Sequence, residues 1–442
     1  MVTNMSFDTF LIITSITVLI ISLYSMFNIL GKKMFLTIPG FFYIFFIVFI
    51  ALGSPFFFLK KDAVNIDYFI AVHLVLILLP IGILLTNKFM KIDFKEVFNT
   101  YLDSPVIDRQ PGGHFIPPFL LVLFATLGVT FLYYSKLEII PINYLLSNLI
   151  DGFKTVELGK MREAATTTFE LGKLHRYNIF MVQMLPFLVI IALFKSKISK
   201  NNFWGLIFFI LTVFTIYRCI SDLQKAPIVD FIILIFLAAW IFKGKINWKQ
   251  AGVMITSIIS ILSIMYFYIM GVNQASFTKL ITVIGKRLFI TQTRALYYYF
   301  SLFPSSHDFL YGVSFPNPAG IFQFENFPLT KWIFINGMYN NSKIVGTANS
   351  AFIGEIYANF GFPIMVLSIL LFSMVVQLVQ IKFTLRPRTL LLTAFYTYFV
   401  FLAGQFAMTG VFIVIHLYLI LFLFTAIIIV DGYTMLNGSI KK

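Results

Sequence analysis

Two kinds of side chain in this sequence can work together chemically: cations that grip phosphate and groups that move a proton. Arg287 and Arg294 lie seven apart in FTKLITVIGKRLFITQTRALYYYF, residues 277–300. Helical geometry places such a pair on one side, about two turns apart. Arg218, Lys225, Arg162 and Arg176 are further cations near the ends of apolar segments or in long connections. Guanidinium matches phosphate oxygens bidentately, so a clamp on a substrate diphosphate is the sharper reading. Anchoring to lipid headgroups is the plainer one. Glu355 stands in the opening turns of a long apolar segment. A carboxylate there costs about 2–3 kcal/mol unless it faces a cavity or has a partner. His307 lies in FPSSHDFLYGVSFPN, residues 303–317, whose prolines, serines and glycine break a helix. Glu355 and His307 are alternative general bases, with Asp308 behind them. Asn349, Ser350 and Tyr357 can orient hydroxyl groups, and Thr347, Asn349 and Ser350 can each cap the helix that follows. The five histidines lack ligand spacing, Cys219 is the single cysteine, and no Walker or dinucleotide fingerprint occurs. The expectation is therefore no metal, no disulfide and no nucleotide cofactor.

These residues must be positioned by helices in a bilayer. The chain has 442 residues, 59% hydrophobic and only 12% charged, with mean hydropathy +0.91. Its apolar runs are continuous rather than alternating, which excludes a β-barrel. The fold class is an all-α polytopic membrane protein with about eleven transmembrane helices. The spans read as 8–30, 35–52, 67–86, 115–134, 177–194, 203–219, 227–242, 251–271, 350–381, 389–406 and 408–430. The last two require a tight turn at 405–410 or form one broken helix. Two long connections remain, 135–176 and 272–349, and residues 1–442 read as a single integral membrane domain.

The net charge of +15 comes from basic residues scattered between spans, which is topology information rather than a nucleic-acid footprint. Lys32 and Lys33, the 88–109 segment, Lys195–Lys200, Lys243–Lys249 and Lys382–Arg388 all fall on alternate connections. The positive-inside rule makes that side cytoplasmic, puts the N-terminus outside and the C-terminus inside, and sends both long loops to the outer face. The 272–349 loop opens with an amphipathic helix expected to lie in the membrane interface. It continues through Phe322, Phe324, Phe327, Trp332, Phe334 and Tyr339, which suit interfacial packing or sugar stacking.

Some local sequence carries a resemblance. Lys225-Ala-Pro-Ile, Phe309-Leu-Tyr-Gly-Val-Ser-Phe-Pro, and Asn349-Ser350 leading into Gly354-Glu355-Ile-Tyr357-Ala-Asn-Phe360-Gly361 look like the oligosaccharide repeat-unit polymerases, the Wzy-type O-antigen polymerases. The resemblance covers most of the chain as architecture and about its last half as motif. It implies a GT-C-like bundle in the bacterial cytoplasmic (inner) membrane. It implies a glycosyltransferase, inverting and metal-independent, that polymerises undecaprenyl-diphosphate-linked repeat units at the periplasmic face. A chain-length regulator and a flippase are the partners it implies. In that scheme Arg287, Arg294, Arg218 and Lys225 hold the donor diphosphate, and Arg162 and Arg176 place the acceptor. Asn349, Ser350 and Tyr357 orient sugars. The Arg-x10-Gly pattern of some members is not kept: Arg162 to Gly172 is one residue short, and neither Arg287 nor Arg294 has a glycine at that distance. The alternatives are an O-antigen ligase, which shares fold and arginines, and a lipid-linked oligosaccharide flippase, which requires polar residues deep in several spans.

Overall fold

The computed structural model describes residues 7–55, 66–108, 116–148, 158, 160–162, 164–165, 180–269, 277–315, 317, 323–339 and 346–410. Among them the chain is helical without strands, apart from one isolated parallel bridge between Ile107 and Thr389. The helices are α1 (Phe7–Leu30), α2 (Ile38–Phe46), α3 (Ile66–Met90), α4 (Phe94–Asp103), α5 (Ile116–Ser135), α6 (Pro141–Ser147), α7 (Leu185–Ser199), α8 (Asn202–Ser221), α9 (Lys225–Lys243) and α10 (Trp248–Ile269). Then come α11 (Phe277–Gly285), α12 (Thr291–Leu302), α13 (Leu329–Ile333), α14 (Phe352–Thr384) and α15 (Leu390–Thr409).

Nine of the described helices are long and apolar enough to cross a membrane. The protein is an all-α polytopic membrane protein. The expected second span, 35–52, is different. Thr37 caps α2 by accepting from the Gly40 N–H, with a proline at its start, and a π turn, Ile47–Ala51, ends it. Ile38–Ala51 therefore runs about 21 Å at 1.5 Å per residue, short of the roughly 30 Å hydrocarbon layer. Most of its side chains are buried; its start meets Gln380 and its end meets Thr293. The expected span 408–430 lies almost wholly outside the described residues. What is described of the 405–410 turn is a stop: α15 ends at Thr409, and Gly410 takes a left-handed φ of 71°.

Two compact units are distinguished: Met1–Asp103 with Ile281–Pro387 and Phe399–Ile415, and Ser104–Leu280 with Arg388–Tyr398 and His416–Lys442. In the first, α14 packs along α3, and α12 packs against α14. Gln380 accepts from the Ile38 backbone N–H at 2.8 Å, and Gln377 donates to Asn87 at 2.7 Å, so polar side chains pin α14 at the end opposite Glu355. In the second unit, α7 packs along α8. Buried Arg388 donates to the Ile241 and Phe242 carbonyls at 2.6 and 3.2 Å, placing a cation on the open C-terminus of α9. Lys195 pairs with Asp108 nearby in sequence to that cap's partner segment, where Arg388 also bonds Ser104.

The helix expected in the membrane interface at 277–300 is not one amphipathic surface helix. A π turn, Lys286–Ile290, separates α11 from α12. α12 buries Thr293, Ala295, Leu296, Tyr297, Tyr299 and Phe300, so it belongs to the core of the first unit. Thr293 bonds back to the Phe289 carbonyl and lies 3.1 Å from those of Phe49 and Ile50.

Candidate functional site

The site is built around a break in α14. Gly361 has φ 75° and ψ −175°, a region essentially reserved for glycine, and Pro363 follows two residues later. Proline has no N–H to offer the Asn359 carbonyl, and the break removes the partner of the Ala358 carbonyl. Both carbonyls are recovered from outside the helix. The Leu310 N–H donates to Ala358 O at 3.0 Å and the Tyr311 N–H to Asn359 O at 2.9 Å. The loop at 303–315 thus caps a half-helix, 352–360.

Asn359, fully buried, completes the join with its side chain. Its Oδ1 accepts from the Gly312 N–H at 2.9 Å, and its Nδ2 donates to Ser314 Oγ and to the Glu355 carbonyl, each at 2.7 Å. All three bonds lie within what one amide can make. Phe309 covers the glycine: a Cβ on Gly361 would stand 3.3 Å from its ring. The glycine-x-proline spacing was the signal for this arrangement; Asn359 was legible from sequence as a polar residue in the opening turns of the span, without this role.

The helix start differs from expectation. Ala351 occupies the N-cap with extended backbone, and no side chain caps it. Ser350 instead donates to the Gln292 carbonyl at 3.2 Å, tying the segment before α14 to α12. Asn349 is half-buried, and the buried Ser350 is already engaged. Tyr357 is buried, stacks on Phe300 at 4.2 Å, and its hydroxyl lies 3.3 Å from both Asp67 Oδ2 and the Phe303 carbonyl. Asp67 enters the site through that contact.

Glu355 is buried within the same half-helix. A Cβ placed on Gly410 would collide with its carboxylate, so the glycine gives the acid its space. Tyr299 is close enough that its hydroxyl pKa is raised well above the ordinary value, first by burial and then by the Glu355 charge. That hydroxyl donates to the Ala348 carbonyl at 3.0 Å.

His307 sits in an aromatic cage, with ring centroids of Phe327, Trp332 and Phe303 at 5.1, 5.3 and 5.5 Å. Its Nδ1 is 2.7 Å from the Asp308 carbonyl. A carbonyl only accepts, so Nδ1 carries the proton and Nε2 of the neutral ring carries a lone pair.

Arg287 and Arg294 do not share a side. The π turn between them inserts one residue into the helical register, which rotates one against the other by about 100°. Arg287 is exposed. Arg294 is half-buried, donates to the Met338 carbonyl at 2.6 Å, and lies over Tyr298 and Tyr339 at 5.8 and 5.9 Å.

The other cations belong to the second unit. Arg218 is buried, donates to Asp222 Oδ2 at 2.8 Å and lies over the Tyr133 ring at 4.9 Å. The Tyr133 hydroxyl is 2.9 Å from both Asp222 Oδ1 and the Ala165 carbonyl. Ser221 stands 2.9 Å from Asp222 Oδ1 as well. The Arg218 charge is therefore neutralised by a carboxylate one turn away, a partner that i,i+4 spacing makes available. Arg162 is partly buried, and burial lowers its pKa. Lys225 is the first residue of α9 and half-buried. Arg176 lies outside the described residues.

The fold and these sites define a multi-pass helical membrane protein. Comparison of the chain with family models, curated proteins and solved structures finds no match.

Proposed function

We propose that the chain is a membrane-embedded glycan polymerase that joins repeat units carried on a polyprenyl diphosphate at the outer face of a bacterial inner membrane. The supporting observation is His307: an imidazole with its Nδ1 proton committed to a backbone carbonyl and, among the described residues, no hydrogen bond at Nε2, on a loop locked to a broken span. In this reading the acceptor sugar's hydroxyl attacks the anomeric carbon of the donor glycan. The hydroxyl proton passes to His307 Nε2. The carbon–oxygen bond to the carrier breaks, and the diphosphate leaves as an anion with inversion at carbon. In this reading the exposed Arg287 is the candidate ligand for the carrier's diphosphate. Arg294 is held by a carbonyl with two tyrosines and Arg218 by Asp222, so neither is a phosphate ligand in this scheme. Glu355, buried against Gly410, sets the electrostatics of the half-helix.

The test is surface-glycan banding in the source cells. Deletion of the gene should leave single repeat units on the acceptor lipid, and His307→Gln protein present in membranes should fail to restore the ladder. Loss of all glycan, including the single unit, would instead point to a ligase. A full ladder from His307→Gln would remove the histidine from the chemistry.

A further inference from the structure

Tyr311 holds a conformation that a tyrosine rarely takes. Its φ is 47°, in the left-handed region where a Cβ crowds the following carbonyl, and Gly312 beside it has φ 98°. Strain of this kind persists only where surrounding bonds over-determine it. Here they do. The N–H groups of Leu310, Tyr311 and Gly312 go to Ala358 O, Asn359 O and Asn359 Oδ1. The Val313 N–H goes to Leu310 O, and Val313 O accepts from the Phe327 N–H.

The side chain gains nothing from the fold in return. Tyr311 is 77% exposed. Among the described residues its ring has no ring partner and its hydroxyl no hydrogen bond. Asparagine or glycine would keep every backbone bond with less strain. What tyrosine adds is an outward aromatic face, held rigidly.

The chemistry along the same loop says what that face meets. Asp308, Glu325 and Asn326 are exposed. Asn326 Nδ2 donates to Phe315 O at 2.9 Å, and Phe327 bonds Val313, so the 325–327 segment is fastened to the turn. Carboxylates are poor partners for an anionic lipid surface, and they accept hydrogen bonds from vicinal hydroxyls. An outward aromatic face on a turn whose neighbouring segments carry exposed carboxylates suits an uncharged sugar ring, whose C–H face stacks while its hydroxyls are bonded.

We infer that Tyr311 is a stacking platform for a sugar ring of the glycan chain, away from the carrier diphosphate. The inference rests on the polymerase reading of this same loop and names the part of the substrate that the turn contacts.

The test uses the full-length protein in nanodiscs as wild type, Tyr311→Asn and Tyr311→Phe. The probe is the free repeat oligosaccharide released from the source cells' polysaccharide, followed by saturation-transfer NMR alongside thermal unfolding. Relief of strain should raise the melting temperature of Tyr311→Asn by about 1–3 °C. Loss of the ring should weaken oligosaccharide binding about tenfold. Tyr311→Phe should match wild type in both. Unchanged binding by Tyr311→Asn, when wild type binds, overturns the stacking role alone. A lower melting temperature for Tyr311→Asn makes the ring a packing group and also overturns it. Wild type that binds no oligosaccharide, from cells whose deletion strain still polymerises, removes the polymerase reading and this inference together. A Tyr311→Cys protein should react readily with an impermeant maleimide, over a low background because Cys219 is buried. Failure to label would place the turn in lipid and overturn the proposal.

Discussion

Each unit holds an organised set of buried polar groups, and the two sets are built differently. In the second, a charge meets a charge: Arg218 and Asp222 are one helical turn apart, both buried, with Tyr133 and Ser221 completing the set. In the first, a neutral amide meets backbone: Asn359 and the freed carbonyls of a broken helix are matched by the 310–314 turn. The Arg218–Asp222 pair balances its own charge and offers a ligand little. The Asn359 junction fixes a loop in place while leaving the Tyr311 side chain outside. Cation count is therefore a poor guide to where an anion binds, and the neutral junction is the better-organised candidate.

Substitutions can break this contrast, beginning with the largest effect. Asp222→Ala leaves Arg218 buried and uncompensated, and should cost about 3–5 kcal/mol. The double change Arg218→Met, Asp222→Leu should recover most of it, because removing a buried pair together is often near neutral. Thermal unfolding in detergent measures both. A small loss in Asp222→Ala would mean that water reaches the pair.

Gly361→Ala should cost about 2–3 kcal/mol, from a backbone region closed to alanine. The Phe309 ring adds to that by crowding the new methyl. A melting temperature equal to wild type would show that α14 can run unbroken.

Asn359→Ala is expected to cost about 1–3 kcal/mol by stranding the Gly312 N–H. It should also speed limited proteolysis within 303–315. Lower stability without faster cleavage would show that the two backbone bonds alone hold the loop.

Arg287→Ala and Arg294→Ala sharpen the comparison of the two arginines. Arg287 is exposed, so its loss should change stability by less than about 0.5 kcal/mol while removing the glycan ladder. Arg294→Ala should lower stability by roughly 1–2 kcal/mol, through its carbonyl bond and two ring contacts. A full ladder from Arg287→Ala, with protein in the membrane, takes that residue out of the mechanism.

Much of the architecture was legible in the chain. Continuous apolar runs located nine of the membrane helices, because crossing hydrocarbon demands length and composition that few other structures share. The run at 35–52 folds as a shorter apolar helix, Ile38–Ala51, buried among its neighbours. The candidate residues were legible as types only. Seven-residue spacing aligned Arg287 with Arg294 on paper, and a π turn, which has no compositional mark, separated them. Ser350 and Asn349 had the chemistry of caps, yet Ala351 took that position.

By itself the sequence located nine long apolar helices and supplied the glycine and proline at which α14 breaks. Those are local matters of hydropathy and backbone sterics. The tertiary structure decided which polar groups are already satisfied. Arg218 met Asp222, Arg294 met Met338, and Asn359 met a turn nearly fifty residues upstream. Whether a buried donor is occupied depends on distant segments, and no spacing rule along the chain contains that information.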